Sequence, residues 1–178
     1  MTVLRTPATL ILACALLGAC AAQPEPHSAY NDGVAAYRAK DYATARVQWR
    51  KSVDSGDTSA MNNLGYLLSE GLGGGRDEGA AVQLWTTAAK QGHPEAAVHL
   101  GWAYKNGTGV TQSDAEAYAW FMCSVASSRV AGPDEELGAE ILKDANDALS
   151  GLMETFPPEQ FAAAQELAKR YVQAYARK

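Results

Sequence analysis

The sequence repeats itself with a period of 36 residues, and this repeat limits the possible folds more than any other feature. The matched positions include glycine on glycine and aromatic on aromatic. They are Leu64-Gly65 with Leu100-Gly101, Gly71 with Gly107, Gly73 with Gly109, and Trp49 with Trp85 and Phe121. In repeats of this length each unit is one supersecondary element, and stacked units bury a shared core. The period therefore predicts a solenoid.

Each unit contains two segments with apolar residues at helical spacing, and a turn or glycine-rich loop joins them. Alanine is frequent and alternating β-branched clusters are almost absent, which favours helices over strands. The predicted helices are 29–39, 42–55, 58–70, 77–91, 94–106 and 113–128. We therefore predict an all-α protein, an α-solenoid of antiparallel helix pairs. Its three units span about 29–57, 58–93 and 94–128.

Residues 129–178 lie outside the repeat, yet they carry apolar faces of two further helices on either side of Pro157-Pro158. A solenoid needs a terminal unit that covers the apolar face of its last repeat. We expect this segment to be a C-terminal helical cap.

The glycine-rich stretch Glu70–Glu78 reads EGLGGGRDE. A phosphate-binding loop needs a lysine and a hydroxyl residue after its last glycine. Here Gly75 is followed by Arg76 and two acids, which would repel an anion. Because the stretch recurs 36 residues later as NGTGVTQSD, we interpret it as a turn inside the repeat.

The N-terminus has the features of a secretory signal. Arg5 precedes an apolar run from Ala8 to Leu17 that is too short to span a bilayer. We predict a signal peptide over 1–19 and a polar, proline-containing tether over 20–28.

The sequence at the end of this signal, Leu-Gly-Ala-Cys20, resembles the lipobox of bacterial lipoproteins. The resemblance implies that Cys20 carries diacylglycerol and that the chain is lipid-anchored in the bacterial outer membrane, facing the periplasm. Ala21 is consistent with outer-membrane sorting in that family. The alternative is an ordinary signal peptide with an accidental cysteine. Cys14 would leave with the signal, so Cys123 would remain alone, without a disulfide partner.

The repeat units resemble the Sel-one-like repeat family, a relative of the tetratricopeptide repeat. The resemblance rests on Ala60–Gly65, Glu70–Asp77 and Ala81–Gly92, and on the next copy, Ala96–Gly101, Asn106–Asp114 and Ala117–Ser127. It implies the helix-pair fold and carries little information on function. One departure lies in the second loop, where Gly-Gly-Gly-Arg replaces the usual valine or similar apolar residue. This departure predicts a more mobile loop.

Charge and motif content exclude several classes of function. Fifteen basic and twenty acidic residues give a formal charge of −5 without a basic run, so we expect no nucleic-acid partner. Family members that bind β-lactams have a cysteine pair in each repeat, and this chain has none. It also lacks the S-x-x-K set of serine β-lactamases. We expect no catalysis and no cofactor.

The three histidines do not form a metal site. His93 and His99 are about 240° apart on a helix. We expect His93 to cap the helix that begins at Pro94, and His99 to be a partly exposed helical residue. Cys123 is expected to be a small, half-buried hydrophobe.

Tyr66 and Trp102 occupy one repeat position, directly after Leu-Gly on the first helix of successive units. In the tetratricopeptide relative this position faces the concave groove where ligands bind. By the same resemblance Asn62 and Lys105 would also face the groove. Aromatic anchors beside polar side chains are typical of peptide sites. The alternative, that both aromatics only pack between helices, stays open.

These observations favour a periplasmic lipoprotein that acts as a scaffold or adaptor and binds another protein or a peptide of the cell envelope. Two alternatives remain from the sequence. One is an envelope enzyme or accessory protein that binds peptidoglycan or β-lactam-like ligands, and the other is a purely structural spacer.

Overall fold

The computed structural model describes residues 26–128 and 135–176, and within them it contains eight α-helices and no strand. The helices are α1 (Pro26–Arg38), α2 (Tyr42–Asp54), α3 (Thr58–Glu70), α4 (Glu78–Lys90), α5 (Pro94–Asn106), α6 (Asp114–Ser128), α7 (Glu135–Thr155) and α8 (Pro158–Tyr175). Helix α1 begins three residues earlier than predicted, so residues 26–28 of the predicted tether are helical. The predicted signal peptide, Cys20 and tether residues 20–25 lie outside the described residues.

Side chains and glycines set the ends of the repeat helices. Asp57 accepts hydrogen bonds at Oδ1 from the backbone N–H groups of Ser59 and Ala60, at 2.9 and 3.1 Å. Helices α3 and α5 both end at a glycine in the left-handed conformation, Gly71 and Gly107. Such caps are common because glycine adopts positive φ without a Cβ penalty.

His93 caps α5, as the sequence predicts. Its Nδ1 accepts a hydrogen bond from the N–H of Ala96 at 3.3 Å, and Pro94 occupies the first turn. Proline is suited to this turn because its missing N–H would have no partner within the helix.

The helices pack as pairs: α1 with α2, α3 with α4, and α5 with α6. Short loops make the members of each pair antiparallel. Each pair also contacts the next through α2 with α3 and α4 with α5, which gives the predicted α-solenoid. Helices α7 and α8 both pack against α6 and cover the end of the repeat array.

Two of the repeated positions contact each other within a unit: the glycine on the first helix and the aromatic residue on the second. The ring of Trp85 lies against Gly65, where an added Cβ would come within 2.6 Å of the indole Nε1. Phe121 lies against Gly101 in the same way, at 2.6 Å. Both aromatic side chains are buried. The prediction that these repeated aromatics form the core is confirmed, and the repeated glycine leaves room for the ring.

Candidate functional site

A groove runs along the first helices of the pairs, α1, α3 and α5. It holds two depressions. The Asn62 cavity, of about 460 Å³, is lined by Tyr30, Val34, Tyr37, Arg38, Trp49, Asn62, Asn63, Tyr66, Glu95 and His99. The Trp102 cavity, of about 250 Å³, is lined by Tyr66, Ser69, Glu70, Arg76, Trp85, His99, Trp102, Ala103, Asn106 and Thr108. Tyr66 and His99 line both cavities and make the groove continuous.

Two of the predicted groove residues, Tyr66 and Trp102, line the Trp102 cavity, whereas Lys105 lines neither cavity. Tyr66 and Trp102 are 36% and 38% exposed, although they are large aromatic side chains. The rings of Trp102 and Phe121 are nearly perpendicular, with centroids 5.4 Å apart, and Lys105 Nζ lies 5.2 Å from the Trp102 ring centroid. Helix α5 places Trp102 and Lys105 three residues apart, so both project from one face. Lys105 therefore covers part of the Trp102 face.

Asn62 differs from the expectation of an exposed polar contact. Only 2% of this residue is exposed, and Asn62 Nδ2 donates to Asn63 Oδ1 at 3.3 Å. Its backbone carbonyl accepts from Trp85 Nε1 at 3.2 Å. The side chain nevertheless lines the Asn62 cavity. This hydrogen bond joins α4 to α3 and fixes the position of the Asn62 backbone.

His99 connects the core to the groove. Its ring stacks on Trp85 with centroids 4.9 Å apart and lies 6.3 Å from the ring of Tyr66. The side chain is 28% exposed, so the predicted partial exposure is confirmed. Burial lowers the pKa of His99 to about 4, which leaves the imidazole neutral at pH 7.

Glu95 brings a carboxylate to the Asn62 cavity. Burial raises the pKa of Glu95 above its ordinary value, a hydrogen bond from the Asn62 side chain lowers it, and the nearby negative charge of Glu140 raises it. The side chain is 41% exposed. A partly desolvated carboxylate beside a second acid is electrostatically suited to a cation.

Sequence reasoning missed Tyr30, Tyr37 and Glu95 as groove residues. The first unit is four residues shorter than the others between its two helices, which moves its α1 residues out of the 36-residue register. Aligning Gly33 with Gly65, 32 residues apart, would have placed Tyr30 at the position of Asn62. For Glu95 the repeat offered no signal, because its counterpart 36 residues earlier is Ser59.

Within 26–128 and 135–176 there is no group of three or more His, Cys, Asp or Glu side chains placed to hold a metal ion. Cys123 is fully buried, where half-burial was expected, and burial raises the pKa of its thiol to about 12. Among the helices of this part of the chain, none is long and apolar enough to cross a membrane.

Comparisons with known proteins agree with this architecture. The Sel1 repeat profile matches residues 58–93 and 94–122. A solved structure of a protective antigen of uropathogenic Escherichia coli with an SLR fold aligns with 88% of the chain, at a TM-score of 0.74 and 28% identity. A Sel1 repeat protein from Oxalobacter formigenes aligns with 67% of the chain, at a TM-score of 0.53 and 23% identity.

The chain spans only part of each of these solved proteins, 32% of the first and 54% of the second. No curated protein sequence matches the chain. The agreement therefore concerns the repeat fold.

Proposed function

Because the chain is a Sel1-like repeat protein, we propose that it is a non-catalytic scaffold that binds another protein or a peptide in the groove along α1, α3 and α5. Sel1 repeats commonly bind proteins. Solenoids of this kind present extended concave surfaces for that purpose.

The observation that carries the proposal is the exposure of Tyr66 and Trp102 at one repeat position. Their chain neighbours Gly65 and Gly101 are buried against core rings. The aromatic side chains themselves line one cavity with polar groups around them. Rigid aromatics with a polar rim are the usual anchors of protein interfaces.

We expect replacement of both Tyr66 and Trp102 by alanine to weaken partner binding by about 30-fold or more, as the loss of central anchors commonly costs 2 kcal/mol or more. Photo-crosslinking in intact cells, followed by mass spectrometry, measures the yield of the partner adduct. The melting temperature should fall far less than it does for replacement of a buried core aromatic. Val47→Ala is the control, because Val47 is an exposed apolar residue on the outer helix α2. Unchanged crosslinking together with a collapsed melting temperature would show that Tyr66 and Trp102 are core residues.

We further propose that the scaffold works in the bacterial cell envelope, held at the outer membrane by lipid on Cys20. The support is the lipobox-like Leu-Gly-Ala-Cys20 after an apolar run of signal length. Acyl chains gain about 0.8 kcal/mol per buried methylene, so several chains on one cysteine would anchor the protein durably. The partner would then be another envelope protein or peptide.

Cys20→Ser is expected to abolish lipid attachment and to release the protein from the outer-membrane fraction, because serine provides no thiolate for the thioether bond. Metabolic labelling with a radioactive fatty acid measures the attachment directly. Cys123→Ser is the matched control and should keep its label, because Cys123 is buried in the repeat core. Undiminished label in the Cys20→Ser protein would exclude this anchor.

A further inference from the structure

We infer that the Asn62 cavity binds a cationic side chain, lysine or arginine, of the peptide that occupies the groove. This inference rests on the proposed function and specifies one feature of the partner. The cavity has three properties that favour a cation with N–H donors, and each comes from different residues.

The first property is a buried hydrogen-bond acceptor without a partner. Asn62 is 2% exposed, and no described residue donates to Asn62 Oδ1. The Nδ2 group of the same amide donates to Asn63 Oδ1 at 3.3 Å. An unsatisfied buried acceptor costs free energy. Oδ1 has almost no accessible surface, so a ligand donor would recover this free energy once the amide turns Oδ1 toward the cavity. Lysine and arginine side chains are donors without acceptor atoms.

The second property is negative charge. Glu95 lines the cavity, and Glu140 of α7 is close enough to raise the pKa of its carboxyl group. A bound cation between or beside these carboxylates would relieve their repulsion. A peptide carboxylate in the same place would add a third negative charge. Charge complementarity therefore favours a basic side chain over an acidic one.

The third property is an aromatic lining that does not repel cations. Tyr30, Tyr37 and Tyr66 all line the cavity, and aromatic faces attract ammonium and guanidinium groups. His99 in the same lining is neutral at pH 7, because burial lowers its pKa to about 4. The one opposing charge among the lining residues is Arg38, which is exposed. Its removal should strengthen binding of a cation.

Two small probes test this inference on the full chain, labelled with ¹⁵N and solubilised in a neutral detergent. N-acetyl-lysine amide carries the cation, and N-acetyl-norleucine amide has the same aliphatic chain without it. The indole N–H of Trp49 reports on the cavity, because Trp49 belongs to its lining. We expect the lysine probe to shift this NMR signal saturably, with at least about tenfold higher affinity than the norleucine probe.

Three variants test whether the lysine probe binds in the Asn62 cavity. Glu95→Gln should weaken the lysine probe at least about fivefold, and Arg38→Gln should strengthen it. Glu70→Gln is the matched control, because Glu70 lies in the neighbouring Trp102 cavity and not in the Asn62 cavity. If Glu95→Gln disturbs folding, the comparison of the two probes on the unmodified chain still decides the question.

Equal affinity for the two probes, or no shift with the lysine probe, would overturn the inference. Equal loss in Glu95→Gln and Glu70→Gln would overturn it as well, because the attraction would then come from overall charge. Failure of this inference can be distinguished from failure of the proposed function. If crosslinking to the partner depends on Tyr66 and Trp102 while the probes bind alike, only the assignment of the Asn62 cavity is lost.

Discussion

Trp85→Ala is expected to lower the free energy of unfolding by about 3–5 kcal/mol, the range for truncation of a large buried aromatic. Only 5% of Trp85 is exposed, and its ring fills the space that Gly65 leaves on α3. Its Nε1 donates to the carbonyl of Asn62, and its face stacks on His99. One substitution therefore removes contacts to both α3 and α5. Because neighbouring units stabilise each other in a solenoid, most of the array should unfold with it.

Thermal and chemical denaturation followed by circular dichroism measure this loss. Trp102→Ala is the control, because Trp102 occupies the groove and is 38% exposed. It should lose much less stability than Trp85→Ala. Similar losses from the two variants would contradict the division of the aromatics into core and groove positions.

The sequence was sufficient for the fold because the repeated residues are also contact partners. Trp85 recurs as Phe121, and Gly65 recurs as Gly101, because each ring needs a glycine opposite it. Such a pair must be kept in every unit, so it appears as self-similarity. The groove positions of Tyr66 and Trp102 could be located by the same register.

The composition of the Asn62 cavity was not predictable in this way. It depends on residues that differ between units, since Glu95 and His99 correspond to Ser59 and Asn63 in the preceding repeat. Side chains that distinguish one ligand from another differ along a groove, so these particular positions give no repeat signal. Asn62 lies on α3, and its burial depends on packing between α3 and its neighbours.

The glycine loop between α3 and α4 makes contacts that the repeat did not indicate. We expected this loop to be mobile because it lacks the usual apolar residue. In the structure the Arg46 guanidinium of α2 donates to the carbonyls of Leu72, Leu67 and Gly75 at 2.6, 2.8 and 3.0 Å. The corresponding residue 36 positions later is Val82, so the register gave no sign of this contact. The loop is held by polar contacts in place of apolar ones.

A second contact holds the same loop, and it recurs in each unit that has a glycine insertion. An added Cβ at Gly73 would overlap the carbonyl group of Tyr42, the first residue of α2. At Gly109 it would lie 2.5 Å from the carbonyl oxygen of Glu78, the first residue of α4. Tyr42 and Glu78 are themselves 36 residues apart. The glycines therefore let each loop approach the backbone of the preceding unit.

Gly73→Ala is accordingly expected to lower the free energy of unfolding by about 2–5 kcal/mol. Gly73 has φ of 74°, and left-handed backbone costs a residue with a Cβ about 1–2 kcal/mol. The overlap with Tyr42 adds roughly 1–3 kcal/mol, as overpacking commonly does. Urea denaturation of the purified protein measures the sum.

Substitutions at two other glycines separate the backbone contribution from the contribution of the overlap. Gly56 has φ of 86° but nothing within 4 Å of an added Cβ, so Gly56→Ala should cost only the backbone contribution of about 1–2 kcal/mol. Gly75 has open space and no positive φ, so Gly75→Ala should change stability by less than about 0.5 kcal/mol or increase it slightly. Equal losses for Gly73→Ala and Gly56→Ala would mean that the loop can move away from α2 at no cost. The repeated glycine would then serve only the turn, and the spacing between units would have to come from the packed aromatic rings alone.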